Sequence, residues 1–360
     1  MKKTEADYLK ELVAFPTVSS DKKASLECAE FCNGFFSACG LYSKIIKSDG
    51  YPNVFASTTK TKAPKVLLQC HMDVVPAPDS LFTMTKKNGK LAGRGTFDMK
   101  FACASYMNLI ERLGEDISKY DFGILLSFDE EIGGHNGVEA VLDKGYGAGI
   151  CILPDSGKDW NLESSAHGAW FLKLSKTGKS AHASLPECGI NSAEILTEAI
   201  AEVRTLGKKF AKSDLAISLT RIKSGEAMNQ IPDYGEATLD IRFRSDDVRS
   251  RLKTGIEKIC KKHGVKSETL VLAGCMNTDM DKPGVSEFIQ AAEQVIGRTI
   301  SRGHSLGTTD ARYFCARRIP CIVIQPDGGG RHSVEEWVDE AGVKNLTEIL
   351  LKFIVNYAII

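Results

Sequence analysis

The chain has 360 residues, of which 43% are hydrophobic, and this length favours about two domains over a single core. Basic and acidic residues number 46 each, so the net charge gives no reason to expect a nucleic acid or a membrane as partner. The eleven cysteines are odd in number and form no CxxC pair, which favours free thiols in a reducing compartment. Because no signal-peptide or membrane-spanning run is visible, we expect a cytoplasmic protein.

The first part of the chain, residues 1–164, has the pattern of an α/β domain. Helices are predicted over residues 4–14, Ala24–Cys39 and Met99–Arg112. Short apolar runs predict buried strands at Lys65–Gln69, Phe122–Phe128 and Gly149–Leu153. Each of these strands is followed by histidine or carboxylate side chains. Since parallel sheets build their sites at the carboxyl ends of strands, we expect these side chains to meet.

The pattern changes between residues 165 and 279. Ala169–Ser175 and Ala237–Arg244 alternate apolar and polar residues, as half-exposed antiparallel strands do, and helices are predicted over Ser192–Leu206 and Val248–His263. From residue 280 to 360 the α/β pattern of residues 1–164 returns. Helices are predicted at Val285–Ile296, Thr309–Cys315 and Ala341–Ala358, and a strand at Cys321–Gln325. A small α+β domain inserted in a larger α/β domain explains this order.

Five short motifs carry candidate metal ligands. They are CHMDVVP with His71 and Asp73, GRGTFDMK with Asp98, DEEIGG with Glu130 and Glu131, LPDSG with Asp155, and GGRHSVEEW with His332. Zinc binds imidazole nitrogen and carboxylate oxygen, and several carboxylates in one site favour two cations over one. The set therefore indicates a hydrolytic metal centre.

The individual motifs leave alternatives open. Asp73 is too close to His71 in sequence for both to bind one ion comfortably, so we expect it to orient His71. Of Glu130 and Glu131, one can bind metal while the other acts as a general base, although a Glu-Glu pair is more often a solvated surface feature. Near His332, the alternative ligands Glu335 and Glu336 rank lower.

The motifs CHMDVVP, GRGTFDMK, DEEIGG, PDSG, GKSAHAS, NQIPD, LDIRF and GTTDAR resemble those of the acetylornithine deacetylase, succinyl-diaminopimelate desuccinylase, aminoacylase and carboxypeptidase family of co-catalytic zinc hydrolases. The resemblance implies two zinc ions, for which cobalt or manganese can substitute. It assigns His71 and Asp155 to one ion, Glu131 and His332 to the other, and Asp98 to both. Glu130 is then the general base and Asp73 the partner of His71.

The resemblance also implies that the inserted domain is ferredoxin-like and mediates homodimer formation. It assigns His182 to stabilising the oxyanion in the partner's site, and Asn229, Arg242 and Thr308 to binding substrate, with Thr308 in the Gly307–Arg312 loop. Without it, His182 is simply a polar loop residue and Arg242 an exposed strand residue that pairs with Asp240.

We therefore expect a two-zinc hydrolase of small peptides, of carboxypeptidase or dipeptidase type, in which Glu130 deprotonates the attacking water. The alternatives are an N-acyl-amino-acid deacylase, an inactive relative that only binds, and a monomeric aminopeptidase. Departures near the pocket, namely Cys70, Phe101 and the GGGRH sequence, leave the substrate open.

Overall fold

The computed structural model describes residues 3–210 and 215–360. In these ranges the α-helices are α1 (Glu5–Val13), α2 (Lys22–Ala38), α3 (Lys100–Leu113), α4 (Ala140–Asp143), α5 (Ser192–Lys208), α6 (Asp246–His263), α7 (Val285–Ile296), α8 (Ala311–Ala316) and α9 (Glu340–Tyr357). The strands are β1 (Tyr42–Ser48), β2 (Tyr51–Ser57), β3 (Val66–His71), β4 (Thr85–Lys87), β5 (Lys90–Ala92), β6 (Phe122–Ser127), β7 (Ile150–Leu153), β8 (Leu162–Ala166), β9 (Gly168–Thr177), β10 (Ala181–His182), β11 (Ala216–Ser224), β12 (Gln230–Ile231), β13 (Tyr234–Phe243), β14 (Lys266–Ala273), β15 (Met276–Asn277), β16 (Arg302–Ser305), β17 (Cys321–Val323), β18 (Gly328–Gly329) and β19 (Trp337–Asp339).

The chain folds into two compact units. The larger unit comprises the residues up to Ser165, then Asn277–Ser305 and Thr309–Ile360. The smaller unit comprises Ala166–Met276 and Leu306–Thr308. Among the described residues, no helix is both long and apolar enough to cross a membrane.

The larger unit is built on a mixed sheet. Its strands run in the order β1-β2-β6-β3-β7-β17-β8, and β16 pairs with β8. In the centre of this sheet, β3 is parallel to both β6 and β7, and β17 is parallel to β7. Their residues are almost wholly buried, as apolar strands covered on both faces must be. All four therefore end at the same edge of the sheet, where the predicted ligands follow.

Local sequence fixes the helices that cover this sheet. Asp21 accepts hydrogen bonds from the main-chain N–H groups of Lys23 and Ala24 and so begins α2. Helix α3 presents the small buried side chains Ala102, Cys103 and Ala104, which allow close packing. These helices, like all those predicted from the sequence, occur within three residues of their expected bounds.

The smaller unit has a second, antiparallel sheet. Its strands run in the order β11-β13-β9-β14, with the chain order β9-α5-β11-β13-α6-β14 of a ferredoxin-like fold. Side chains from β9 and β13 alternate between buried and partly exposed, as the sequence pattern predicts. The buried side pairs with α5 and α6 in one apolar core, which includes Leu172, Leu239 and Val203. The α/β class with an inserted α+β unit is thus confirmed.

Candidate metal centre

Five of the predicted ligands converge at the carboxyl edge of the larger unit's sheet. The donor atoms of His71, Asp98 and Asp155 lie within 4.8 Å of one another, and so do those of Asp98, Glu131 and His332. Asp98 belongs to both groups. His71 Nε2 lies 3.1 Å from Asp98 Oδ1 and 3.7 Å from Asp155 Oδ1. His332 Nε2 lies 3.0 Å from Asp98 Oδ2 and 3.1 Å from Glu131 Oε2.

The sheet explains why residues so distant in sequence meet. His71 is the last residue of β3, and Glu131 and Asp155 follow the ends of β6 and β7. Because these strands are parallel neighbours, their carboxyl ends lie side by side. His332 comes later, beyond the next parallel strand β17 and three residues after the short strand β18. It has a φ of 62°, in the left-handed region that non-glycine residues rarely adopt.

Burial and charge shift the pKa values of these groups in opposite directions. Burial alone would raise the pKa of Asp98, but hydrogen bonds from His332 and His71 and the charge of Arg331 bring it below its ordinary range. Burial raises the pKa of Glu131 to about 7. Burial also raises the pKa of Glu130, helped by the negative charge of Asp155. Burial thus makes the ionised forms of Glu130 and Glu131 costly in this centre, and a bound cation would offset that cost.

This donor set fits divalent metal ions. Imidazole nitrogens together with carboxylate oxygens are ligands of zinc and of neighbouring first-row metals. Each group supplies three donors, and a catalytic ion needs a further open position. Glu130 belongs to neither converging group among the described residues, although it directly precedes Glu131 in a single 3₁₀ turn, Glu130–Ile132.

Asp73 contacts both the first ligand and the two glutamates. His71 Nδ1 lies 3.0 Å from the main-chain oxygen of Asp73 and 3.5 Å from its Oδ1. The Asp73 carboxylate accepts hydrogen bonds from the main-chain N–H groups of Glu130 and Glu131, each 3.1 Å long. It also accepts one from the hydroxyl of Ser19, at 2.7 Å. Asp73 therefore fixes the glutamate turn as firmly as it fixes the histidine.

Glu336, ranked in the sequence as an alternative ligand, lies under Asp98 instead. Its Oε1 accepts hydrogen bonds from the main-chain N–H groups of Phe97 and Asp98, at 2.9 and 3.1 Å. Its Oε2 accepts one from Arg94, at 2.5 Å. Pairing of Trp337 with Ala92 between β19 and β5 brings Glu336 to this point. The sequence analysis missed this role, because strands of three residues leave no periodic signal.

The Asp310–Tyr313 segment fixes the other side of the glutamate turn. Arg312 and Tyr313 both donate hydrogen bonds to the main-chain oxygen of Gly133, at 2.6 and 2.5 Å. Gly134 adopts a φ of 68°, and a Cβ atom there would collide with the Asp310 carboxylate. Asp310 is fully buried, and burial raises its pKa to about 7. Arg312, in the predicted substrate loop, thus supports the turn that carries Glu130.

The remaining predicted site residues belong to the smaller unit. His182 is exposed, and its Nδ1 accepts a hydrogen bond from the main-chain N–H of Ser184, at 3.2 Å. The guanidinium of Arg242 forms a two-pronged pair with Asp240, at 2.7 and 3.1 Å. This pairing is the alternative that the sequence left open for Arg242. Asn229 is exposed and Thr308 half-buried.

The mixed sheet and its histidine-carboxylate centre define a metal-dependent hydrolase that acts on amide bonds. The chain belongs to peptidase family M20/M25/M40, whose sequence profile matches residues 67–356. A succinyl-diaminopimelate desuccinylase of Pelagibacter ubique is 26% identical, with 98% of both chains covered. A probable succinyl-diaminopimelate desuccinylase of Staphylococcus epidermidis is 24% identical, with 94% of this chain and 93% of the relative covered.

Solved structures share the fold. Aminopeptidase PepT of Bacillus cereus has a TM-score of 0.80 at 22% identity, with 97% of both chains covered. A family M20 metallo-carboxypeptidase of Sulfolobus solfataricus has a TM-score of 0.80 at 17% identity, with 99% of both chains covered. The resemblance found in the motifs is therefore confirmed, together with the fold class and with metal-dependent amide hydrolysis.

Proposed function

We propose that the chain hydrolyses an amide bond of a small peptide at a centre of two divalent metal ions, with zinc as the resident metal. In this proposal His71 and Asp155 hold one ion, Glu131 and His332 hold the other, and Asp98 holds both. The observation that carries it is the overlap of two three-donor groups on one buried aspartate. Bound ions at such a site polarise a carbonyl group and lower the pKa of water.

Glu130 is the proposed general base. It precedes the ligand Glu131, its main-chain N–H donates to Asp73, and burial raises its pKa. A carboxylate whose pKa is raised is a stronger base, and it can accept a proton from the attacking water and return it to the leaving amine. Asp73 contacts the glutamate turn on one side, and Arg312 and Tyr313 contact it on the other. These contacts would hold the Glu130 carboxylate close to the attacking water.

His182 is proposed to stabilise the oxyanion. His182 Nδ1 lies 2.7 Å from the hydroxyl of Ser184 and accepts a hydrogen bond from the main-chain N–H of Ser184 at 3.2 Å. Acceptance at Nδ1 is the arrangement in which Nε2 carries a proton and can donate a hydrogen bond. A donor aimed at the developing negative charge is worth a factor of ~10²–10³ in turnover.

A homodimer is proposed to bring His182 to the partner's site. The outer strands of the smaller unit's sheet, β11 and β14, expose the apolar side chains of Leu219, Ile222, Leu270, Val271 and Leu272. Exposed apolar edge strands are surfaces that pair with another chain. Mixing inactive Glu130→Ala and His182→Ala subunits should then restore part of the activity, while no recovery after subunit exchange would contradict a shared site.

The proposed substrate carries a free carboxylate, which Arg242 would bind with help from Asn229 and Thr308. Arg242 is already aligned by Asp240, and a guanidinium group can bind two carboxylates on different edges. Replacing Arg242 by alanine should cost ~2–5 kcal/mol of transition-state stabilisation if the substrate carboxylate is then left buried and unpaired.

A deacylase of N-acyl amino acids is the second candidate, because the curated relatives described above bear the name of a desuccinylase. One panel separates the two: dipeptides and tripeptides against N-acetyl and N-succinyl amino acids, each with a free and an amidated carboxyl group. Cleavage of peptides with a free carboxylate supports the first candidate, and cleavage of acyl amino acids alone supports the second. Equal cleavage of free and amidated peptides would contradict carboxylate recognition and favour an aminopeptidase.

A further inference from the structure

Arg331, in the GGGRH sequence, is a charged residue of the centre that the proposed mechanism does not use. Gly330 and His332, on either side of it, adopt φ values of 69° and 62°. The chain therefore turns sharply around Arg331, and its side chain points back into the centre. Its Nε lies 3.3 Å from Asp98 Oδ2, and one terminal nitrogen donates to Asp155 Oδ1 at 3.4 Å.

Firm contacts with the protein hold the guanidinium in this position. Its other terminal nitrogen donates to the main-chain oxygen of Asp155 at 2.6 Å and to Oε1 of Gln325 at 3.1 Å. Gln325 is 2% exposed and is itself fixed by a hydrogen bond to the main-chain oxygen of Phe97. Among the described residues, Arg331 thus donates three hydrogen bonds, and its Nε faces Asp98 in an ion pair. Too few donors are left for the two-pronged binding of a substrate carboxylate.

The charge of Arg331 acts instead on the ligands themselves. A guanidinium group stays protonated in proteins, and here its positive charge lies directly against the carboxylates of Asp98 and Asp155. A positive charge held within 3.4 Å of the carboxylates of Asp98 and Asp155 would repel a divalent ion bound by the same carboxylates, and such repulsion is substantial where solvent is partly excluded.

We propose that Arg331 is a built-in counter-ion of the metal centre. It holds the ligand carboxylates together when metal is absent, and it lowers their affinity for divalent ions. This inference rests on the metal centre proposed above. It predicts that the identity of the residue before His332 sets how tightly the centre retains metal.

The test is the dissociation constant for Zn²⁺, measured by competition with a chromophoric chelator. Arg331→Gln should bind one Zn²⁺ at least tenfold more tightly than the wild-type chain. Arg331→Lys, which keeps the charge, should stay within about threefold of wild type. Arg317→Gln is the matched control, because Arg317 is similarly exposed and pairs with Asp143, which is not a predicted ligand.

A second readout is the melting temperature with and without Zn²⁺. Metal-free Arg331→Gln should melt lower than metal-free wild type. The rise in melting temperature on adding Zn²⁺ should be larger for the variant than for wild type, because tighter binding stabilises the folded chain more. If the metal-free variant does not fold, protein purified with metal is challenged with chelator, and slower release is expected.

Unchanged or weaker Zn²⁺ binding in Arg331→Gln would overturn the inference. If the wild-type protein nevertheless binds two ions, the proposed metal centre stands and only the role of Arg331 is wrong. Wild-type protein that binds no divalent ion would instead contradict the centre itself.

Discussion

Replacing Glu336 by glutamine tests whether Asp98 depends on the residue beneath it. Glu336 is 1% exposed, and its carboxylate accepts hydrogen bonds from Arg94 and from the main-chain N–H groups of Phe97 and Asp98. Glutamine keeps the size of the side chain but removes its charge. The amide NH₂ group of glutamine would then face either the guanidinium of Arg94 or the main-chain N–H groups of Phe97 and Asp98, and neither of these can accept a hydrogen bond.

The expected cost follows from these contacts. Hydrogen bonds to a charged group contribute ~1.5–3 kcal/mol each, and breaking a buried ion pair by removing one partner costs ~3–5 kcal/mol. Since the pair with Arg94 and the two main-chain bonds are not independent, we expect ~3–5 kcal/mol in total and not their sum. For a unit of this size that corresponds to a melting temperature lower by about 10 °C.

The assay is thermal unfolding of the metal-free chain, together with the metal content after loading with Zn²⁺. Glu336→Gln should melt lower and also lose metal, because the main chain of Asp98 is released. Glu335→Gln is the control, since Glu335 is an exposed neighbour and should change the unfolding free energy by less than ~0.5 kcal/mol. A Glu336→Gln chain that melts like wild type and keeps its metal would show that Asp98 does not depend on the Glu336 carboxylate.

Three further predictions concern the turn that carries the glutamates. Glu130→Ala should lose turnover by ~10²–10⁴-fold yet keep both metals, whereas Glu131→Ala should lose one, as measured by metal analysis, and equal metal content would contradict the roles. Tyr313→Phe, which removes a hydrogen bond to Gly133, should lower kcat more than it changes KM, and unaltered steady-state kinetics would argue against a positioning role. Burial raises the pKa of Asp310 to about 7 in the folded chain, so its contribution to stability is greatest below the unfolded pKa near 4 and is lost as the pH rises to 7. Metal-free Asp310→Asn should therefore gain about 2–3 kcal/mol relative to wild type between pH 5 and pH 8 in urea unfolding, and a pH-independent difference would disprove the shift.

Much of the centre was predictable because strand ends are visible in a sequence. The apolar runs before His71, Glu130 and Asp155 predict buried strands, and parallel buried strands end together. The spacing of these ligands along the chain does not by itself show that they meet. The grouping into two overlapping sets came from resemblance to a family, and in the structure the same donor atoms lie in two groups that share Asp98.

The supporting contacts could not be predicted in the same way. Glu336 reaches Asp98 only because two strands of three residues pair across about 245 positions of sequence, and such strands have no period to detect. The hairpin of β1 and β2 was also missed, because no residue of β1 is fully buried and the strand mixes polar with apolar residues. The carboxylates that meet Arg331 are likewise brought together only by the fold.

Metal binding by the Asp98→Ala variant tests whether one aspartate serves two metal ions. Metal-free wild type and variant are dialysed against Zn²⁺, bound metal is counted per chain, and hydrolysis of the peptide panel is followed in the same samples. Wild type should bind two ions and be fully active, metal-free wild type should be inactive, and Asp98→Ala should lose both ions, because Asp98 belongs to both donor groups. Hydrolysis by the metal-free chain, or two ions retained by Asp98→Ala, would contradict a centre of two ions that share Asp98.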